Sequence, residues 1–296
     1  MAFSTLIDCE TLAARLNEAD WRIFDCRFDL ADTRRGERAY GEGHIPGSFY
    51  AHLDRDLSSQ ITARSGRHPL PEIADLSAWL GERGVARDTQ VITYDDTGGT
   101  MAVRLWWLLR WLGHRQVALL DGGLPAWINA GLPLQTDPPP PSARRVFHAE
   151  PDWPQVVTSD EITDQLDAGG HRLLLLDART GERYRGEVEP IDPVPGHIPG
   201  AVNLPLQDNL NDDGRFKSPA ALRALYEKVL AGHPPGDVAV MCGSGVTACH
   251  NLLAMELAGL KGGRLYAGSW SEWIRDPSRP GATGPCLIVG LDGNAT

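Results

Sequence analysis

The sequence predicts an α/β protein made of two tandem copies of one domain, each a mostly parallel sheet with helices on both faces. Three short patterns recur in the same order in both halves: a D-x-R triplet, an HIPG turn and a G-x-x-x-x-W segment. Within each half, short apolar runs alternate with helical patterns, as in a sheet covered by helices. A run of prolines separates the two halves.

The repeat is defined by residues of the first half that match residues of the second half. These are Asp25 and Asp177, Arg27 and Arg179, His44 and His197, Gly122 and Gly268, and Trp127 and Trp273. Chance repeats one short motif, but not an ordered set at nearly one spacing, so a duplicated domain is indicated. The spacing is much longer than the ~20–50 residues of a solenoid repeat. The four prolines at 138–141 cannot enter a helix or a central strand. We therefore expect a first domain over 1–135, a proline-rich linker over 136–155 and a second domain over 156–296.

Short apolar runs with β-forming residues predict buried parallel strands at 91–94, 173–176 and 238–241. Helical spacing of apolar residues predicts helices at 101–112, 219–230 and 246–257. The tryptophan-rich part of the first of these helices is expected to pack in the core. A last apolar run at 286–289 is read as a final strand or tether.

Composition narrows the function classes. The 296 residues carry a formal net charge of -11, which argues against nucleic acid and anionic membranes as partners. The apolar runs are far shorter than the ~20 residues of a spanning helix, and the N-terminus does not resemble a secretion signal. The five cysteines are too scattered for a disulfide framework. We therefore expect a reduced, cytoplasmic protein.

Cys242 is the candidate nucleophile. It follows a predicted strand and opens the loop CGSGVT, which leads into a predicted helix. Ligands bind at such strand-to-helix loops because the helix start presents unpaired N–H groups. Gly243 and Gly245 would let these amides curl into an anion-binding nest and activate the thiolate. The alternative is a buried, inert cysteine. No zinc-type spacing surrounds the loop, so no metal site is expected.

The first half lacks this chemistry. Aligning the strand ends places Asp95 where Cys242 stands, and Thr100 where Thr247 stands. An aspartate cannot serve as a sulfur nucleophile. The first half is therefore predicted to be a silent copy.

Paired HIPG turns, the loop CGSGVT and the segment LLDGGLPAW together resemble the tandem-domain rhodaneses, the thiosulfate and 3-mercaptopyruvate sulfurtransferases. The resemblance spans about residues 6–273. It implies that Cys242 takes a sulfur from a donor as a persulfide, which the amides of Gly243, Gly245, Val246 and Thr247 hold. The sulfur then passes to cyanide, a small thiol or thioredoxin. No cofactor is implied.

The resemblance also suggests the donor. The loop lacks the cations of the thiosulfate type and looks like the mercaptopyruvate type, which implies proton handling by Ser244, His68 and Asp54. From the residues alone, His68 and Asp54 would be ordinary loop and turn residues.

Arginines suit an anionic donor because the guanidinium fork matches a carboxylate. The segment ERYRG resembles the family's donor-binding segment, which makes Arg183 and Arg185 candidates for donor binding. Ile191 stands near the place of a second family arginine, so one substrate contact of the mercaptopyruvate type is expected to be absent. Thiosulfate therefore remains an alternative donor.

Two other functions compete. A cysteine phosphatase or arsenate reductase needs an arginine six positions after its cysteine, where this chain has Ala248. A rhodanese-type interaction or redox module without turnover commonly lacks the cysteine, as the first half does. Retention of Cys242 with its glycines favours an enzyme.

Overall fold

The computed structural model describes residues 2–169 and 172–285. Contacts divide the chain into two compact units. The first comprises Met1–Gln60, Leu70–Trp153 and Leu210–Lys217, and the second Ile61–Pro69, Pro154–Asn209 and Ser218–Thr296. The boundaries expected at 1–135, 136–155 and 156–296 stay a prediction.

Each unit contains a five-stranded sheet whose strands all pair in parallel. The first sheet has the strands β1 (Leu6–Ile7), β2 (Trp21–Asp25), β3 (Phe49–Tyr50), β4 (Gln90–Tyr94) and β5 (Val117–Leu120). The second has β6 (Val156–Val157), β7 (Leu174–Asp177), β8 (Val202–Asn203), β9 (Val238–Met241) and β10 (Arg264–Tyr266). The orders β1-β5-β4-β2-β3 and β6-β10-β9-β7-β8 are the same, strand for strand. The predicted parallel-sheet architecture in two copies is confirmed.

Helices connect the strands, as parallel pairing requires. The helices of the first unit are α1 (Cys9–Ala13), α2 (Arg35–Glu42), α3 (Leu53–Asp56), α4 (Ile73–Glu82), α5 (Ala102–Trp111) and α6 (Gly123–Asn129). Those of the second are α7 (Ser159–Asp167), α8 (Gly181–Arg185), α9 (Pro219–Leu230), α10 (Ala248–Leu257) and α11 (Ser269–Trp273). Helix α9 coincides with its prediction. Helix α10 begins two residues later than predicted because the glycine loop continues to Thr247. The tryptophans of α5 are buried, as expected.

The recurring D-x-R and HIPG patterns form one joint in each unit. Arg179 pairs with Asp177 at 2.6 Å and donates to the carbonyl of Gly196, the residue before the second HIPG turn, at 2.7 Å. His197 opens that turn and stacks on Tyr184 at 3.8 Å between ring centroids. The first unit repeats the arrangement with Arg27, Asp25, Gly43, His44 and Tyr40. The repeated sequence therefore encodes a repeated buried ion pair that anchors the turn to the end of a strand.

The proline-rich segment has no helix or strand over 138–152, and it is attached to the first unit. The backbone of Arg145 donates to Gly81, and that of Glu150 donates to Leu112. Phe147 is buried. The run predicted at 286–289 lies outside the described residues. In the part of the chain that the structure describes, no helix has the length and apolar character needed to cross a membrane.

Candidate active site

Cys242 lies directly after β9 and is held by the backbone on both sides. The residue is buried, with only 2% of its surface exposed. Its N–H donates to the Ser269 hydroxyl at 3.1 Å, and its carbonyl accepts from the Trp270 N–H at 3.1 Å. The position of the sulfur is therefore fixed by β9 and by the start of α11.

Gly245 closes the loop around the sulfur. Its N–H donates to Cys242 Sγ at 3.2 Å. Its φ is 74°, and an added Cβ would lie 2.1 Å from the carbonyl oxygen of Ala267. Only glycine fits here, because the backbone is left-handed and the neighbouring chain is too close for a side chain. Val246 is buried beyond it, and Thr247 is the cap residue from which α10 begins.

Ser269 supports Cys242 from a strained backbone conformation that was not predicted from the sequence. Its φ is 54°, a value that non-glycine residues rarely adopt. Its hydroxyl donates to the Tyr266 carbonyl at 2.9 Å while accepting from Cys242. The repeat has Gly123 at the matching position, with a φ of 56°. The change from GG in the first half to GS in the second was the available sequence signal.

His68 and Ser244 lie together, as the resemblance implied. The His68 Nδ1 and the Ser244 Oγ share a hydrogen bond of 2.7 Å, and both side chains are buried. The segment that carries His68 is pinned nearby: the Arg67 N–H donates to Ser271 Oγ at 3.0 Å, and Arg275 donates to the Ser65 carbonyl at 3.2 Å.

Asp54 lies in the first unit, exposed on the short helix α3. Its part in proton handling stays a prediction.

Arg183 is placed beside the loop. A Cβ built on Gly243 would lie 3.6 and 3.7 Å from its two terminal nitrogens. Its guanidinium also pairs with Glu189 at 2.8 Å and with Asp192 at 3.2 Å. Arg185, by contrast, is partly exposed and pairs with Glu187 at 2.8 Å. Of the two candidate donor-binding arginines, the structure brings Arg183 to the loop.

Arg67 is a second cation at Gly243, and no role was predicted for it from the sequence. Its Nη2 would lie 2.8 Å from a Cβ at Gly243, and its Nη1 pairs with Asp192. Burial raises the pKa of Asp192, and Arg67 acts against that effect. Burial also favours a higher pKa for Glu189, but hydrogen bonds from Arg183 and from backbone N–H groups outweigh it and lower that pKa. The arginines therefore stabilise two nearly buried carboxylates.

The corresponding loop of the first unit is closed by its own side chain. The Asp95 carboxylate accepts four backbone N–H bonds of 2.8–2.9 Å, from Thr97, Gly99, Met101 and Ala102. Burial raises the pKa of Asp95, while these four bonds act to lower it. In a loop of this type, backbone N–H groups therefore converge on one anionic group.

The other cysteines lie in different settings. Burial raises the pKa of the Cys9 and Cys26 thiols, and the nearby Asp25 adds to the effect at Cys26. Both are therefore held as thiols. Cys249 lies on α10 with its Sγ 3.5 Å from the Gly245 carbonyl. Cys286 is outside the described residues. Within those residues, no group of three or more His, Cys, Asp or Glu side chains is arranged to hold a metal ion.

Comparison with known proteins agrees with this geometry. The family model for the rhodanese-like domain matches residues 8–130 and again 158–276. A protein of Pseudomonas aeruginosa named as a probable 3-mercaptopyruvate sulfurtransferase is 51% identical over 96% of this chain and 100% of its own. The mouse thiosulfate sulfurtransferase is 36% identical over 86% of this chain and 85% of its own.

A solved structure shares the fold. The 3-mercaptopyruvate sulfurtransferase from Leishmania major superposes with a TM-score of 0.78 at 32% identity, covering 93% of this chain and 76% of that one. Two family matches, relatives along nearly the whole length and a common fold agree. The chain belongs to the tandem-domain sulfurtransferases of the rhodanese family.

Proposed function

We propose that the protein moves a sulfane sulfur from 3-mercaptopyruvate, through a persulfide on Cys242, to cyanide, a small thiol or thioredoxin. The observation that carries this proposal is the position of Cys242. Its sulfur lies at the end of a central strand, inside a glycine loop whose Gly245 N–H points at it. Thiosulfate is the alternative donor.

The first half-reaction balances without a cofactor. The Cys242 thiolate attacks the donor sulfur, the carbon–sulfur bond breaks, and its electron pair passes to the carbon as the enolate of pyruvate. The thiol proton of the donor ends on that carbon, which leaves pyruvate and a persulfide anion. In the second half-reaction cyanide attacks the outer sulfur, thiocyanate leaves, and the Cys242 thiolate is regenerated.

The Asp95 loop of the first unit supports the proposal that backbone amides hold the persulfide. A carboxylate oxygen of Asp95 stands two bonds from its Cβ, as the outer sulfur of a cysteine persulfide does. Four N–H groups converge on the Asp95 oxygens. We assign the same task to the amides from Gly243 to Thr247, which would stabilise the negative charge of the persulfide.

The buried pair of His68 and Ser244 would handle the proton. Ser244 belongs to the loop, and its hydroxyl shares a 2.7 Å hydrogen bond with the imidazole. In this proposal the pair takes the thiol proton of the donor and returns it to the enolate carbon. Asp54 is the third candidate, and Arg183 would bind the donor's carboxylate, with Arg185 second to it. We propose a cytoplasmic location, with neither nucleic acid nor membrane as a partner.

The test is the intact mass of the protein after brief exposure to each donor without acceptor. We expect a gain of about 32 Da, one sulfur, located on Cys242 and faster with 3-mercaptopyruvate. Cys242→Ser should gain nothing while keeping its circular dichroism spectrum. Faster loading by thiosulfate would favour the alternative donor. No adduct from either donor would overturn the proposal and favour an interaction or redox module.

A further inference from the structure

A cavity of the second unit is lined by residues that do not belong to the loop 242–247. Its volume is about 430 Å³, within the ~300–1,000 Å³ of small-molecule sites. Its lining includes three arginines and three acidic residues: Arg64, Asp160, Glu272, Arg275, Asp276 and Arg279. A lining of this kind suits a polar ligand that carries both positive and negative charges.

Two of the three arginines have guanidinium groups without an acidic partner. Among the described residues, the Arg64 side chain makes no hydrogen bond or ion pair, and Arg275 donates only through Nε, to the Ser65 carbonyl at 3.2 Å. Arg279 pairs with Asp160 at 3.4 Å, but that carboxylate is 90% exposed, and such pairs contribute little. The cavity therefore offers guanidinium groups to a ligand carboxylate, whose two oxygens match the guanidinium fork.

The carboxylates of the cavity are held in place and suit an ammonium group. Asp276 accepts hydrogen bonds from the hydroxyl and the N–H of Ser278, at 2.6 and 3.0 Å. These bonds, together with two nearby arginines, lower the pKa of Asp276, so its side chain stays negatively charged. Glu272 accepts a hydrogen bond from the Ser159 hydroxyl at 2.5 Å. Cations and carboxylates therefore lie side by side, which complements the carboxylate and ammonium groups of an amino acid.

The cavity lies within reach of the loop 242–247. The chain from Arg64 to Arg67 spans at most ~10 Å, and Arg67 lies beside Gly243. Helix α11 also connects the two places: the Ser271 N–H donates to the Gly243 carbonyl at 2.9 Å, and the next residue lines the cavity. An extended tripeptide is ~10 Å long. A thiol of this size is therefore long enough to have one end in the cavity and its sulfur at the loop.

We propose that this cavity binds the sulfur acceptor, and that the acceptor is a small thiol built from amino acids, with a free carboxylate and a free ammonium group. Arg64 and Arg275 would hold the carboxylate, and Asp276 with Glu272 would hold the ammonium group. The acceptor thiolate attacks the outer sulfur of the Cys242 persulfide, the bond between the two sulfurs breaks, and its electron pair stays on Cys242 as the thiolate. The inference rests on the proposed function and deepens it, because it names the acceptor class and its binding site.

The test isolates the acceptor half-reaction. The protein is loaded with 3-mercaptopyruvate, freed of donor and mixed with increasing glutathione, a tripeptide thiol that carries carboxylates and an ammonium group. For Arg64→Ala and Arg275→Gln, we expect the glutathione concentration at half-maximal transfer rate to rise roughly threefold to tenfold, between an exposed ion pair and a charged hydrogen bond. 2-Mercaptoethanol and cyanide carry neither group, so their transfer rates should change less than about twofold.

Arg223→Ala is the matched control, since it removes the same charge from α9 of the same unit, where the side chain is 53% exposed. Calorimetry with S-methylglutathione, which has no free thiol and does not react, gives a second readout. Its affinity should fall in the Arg64 and Arg275 variants and stay unchanged in Arg223→Ala. Because Arg275 also holds the Ser65 carbonyl, Arg64→Ala keeps the test valid if Arg275→Gln does not fold.

The outcomes separate this inference from the proposed function. The absence of a persulfide on wild-type Cys242 would overturn the proposed function, whereas the calorimetry does not depend on that chemistry. If the wild type does not bind S-methylglutathione, or if both variants keep the wild-type response to glutathione, the cavity is not the acceptor site. Equal losses with glutathione and 2-mercaptoethanol would also overturn the inference, because they would show that the substitutions disturb the loop.

Discussion

The conformation of the loop around Cys242 requires that residue 245 has no side chain. The left-handed backbone alone costs a non-glycine residue about 1–2 kcal/mol. The close approach of the Ala267 carbonyl adds a clash that backbone atoms cannot easily relieve. The loop therefore depends on glycine for two separate reasons.

We predict that Gly245→Ala lowers the free energy of unfolding by more than the ~1–2 kcal/mol of conformational strain and reduces sulfur transfer at least tenfold. The displaced loop would misplace the N–H that donates to Cys242 Sγ. Urea unfolding and steady-state rates measure the two effects.

Gly200→Ala is the control for Gly245→Ala. Gly200 belongs to the same unit and has a φ of 79°, but nothing lies within 4 Å of an added Cβ. It should show the strain alone. Equal losses in the two variants would mean that the clash at Ala267 is relieved without harm.

At the scale of elements, the buried pair of Asp177 and Arg179 joins β7 to the HIPG turn. Both side chains are at most 1% exposed. Burial favours a lower pKa for Arg179, but Asp177 and Glu189 outweigh it and raise that pKa. The Arg179 guanidinium therefore stays protonated, and its positive charge neutralises the buried carboxylate of Asp177.

We predict that Arg179→Met lowers the free energy of unfolding by about 3–5 kcal/mol, because it leaves a buried carboxylate without its cation. The double variant Asp177→Asn with Arg179→Met should recover part of this loss. Chemical denaturation of the single and double variants gives the comparison. A double variant less stable than Arg179→Met would contradict the uncompensated-charge explanation.

Sequence reasoning succeeded at this scale where a pattern has a local physical cause. The apolar run ending at Met241 and the helical spacing after Pro219 are properties of adjacent residues, and both elements lie where predicted. The start of α10 was missed because the loop conformation depends on Ala267, which is distant in sequence. Arg67 was missed for the same reason, since only folding places it at Gly243. Ser269 could have been suspected from its difference from Gly123.

At the scale of the whole molecule, two buried histidines make the stability of the protein depend on pH in mild acid. Burial lowers the pKa of His114 and of His197 from the ordinary value of 6.5. The unfolded chain therefore takes up protons at a higher pH than the folded chain does. The stability that these neutral rings contribute is complete above 6.5 and is lost as the pH falls below it.

We predict that the free energy of unfolding falls as the pH drops below 6.5, by up to ~1.4 kcal/mol per pH unit for each histidine. His114→Gln should flatten this slope, and thermal unfolding at several pH values measures it. Asp95 and Asp192 have raised pKa values and act in the opposite direction, from their ordinary 3.8 upwards. A slope identical in wild type and variant would show that His114 does not contribute.

Each unit contains a short segment from the other half of the sequence, which limits how the gene can be shortened. The second unit takes Ile61–Pro69 from the first half of the sequence, and the first unit takes Leu210–Lys217 from the second half. His68 and Arg67 are therefore encoded within the copy whose own loop carries Asp95 in place of a cysteine. A gene shortened to the copy that carries Cys242 would lose both residues, and with them the hydrogen bond between His68 and Ser244.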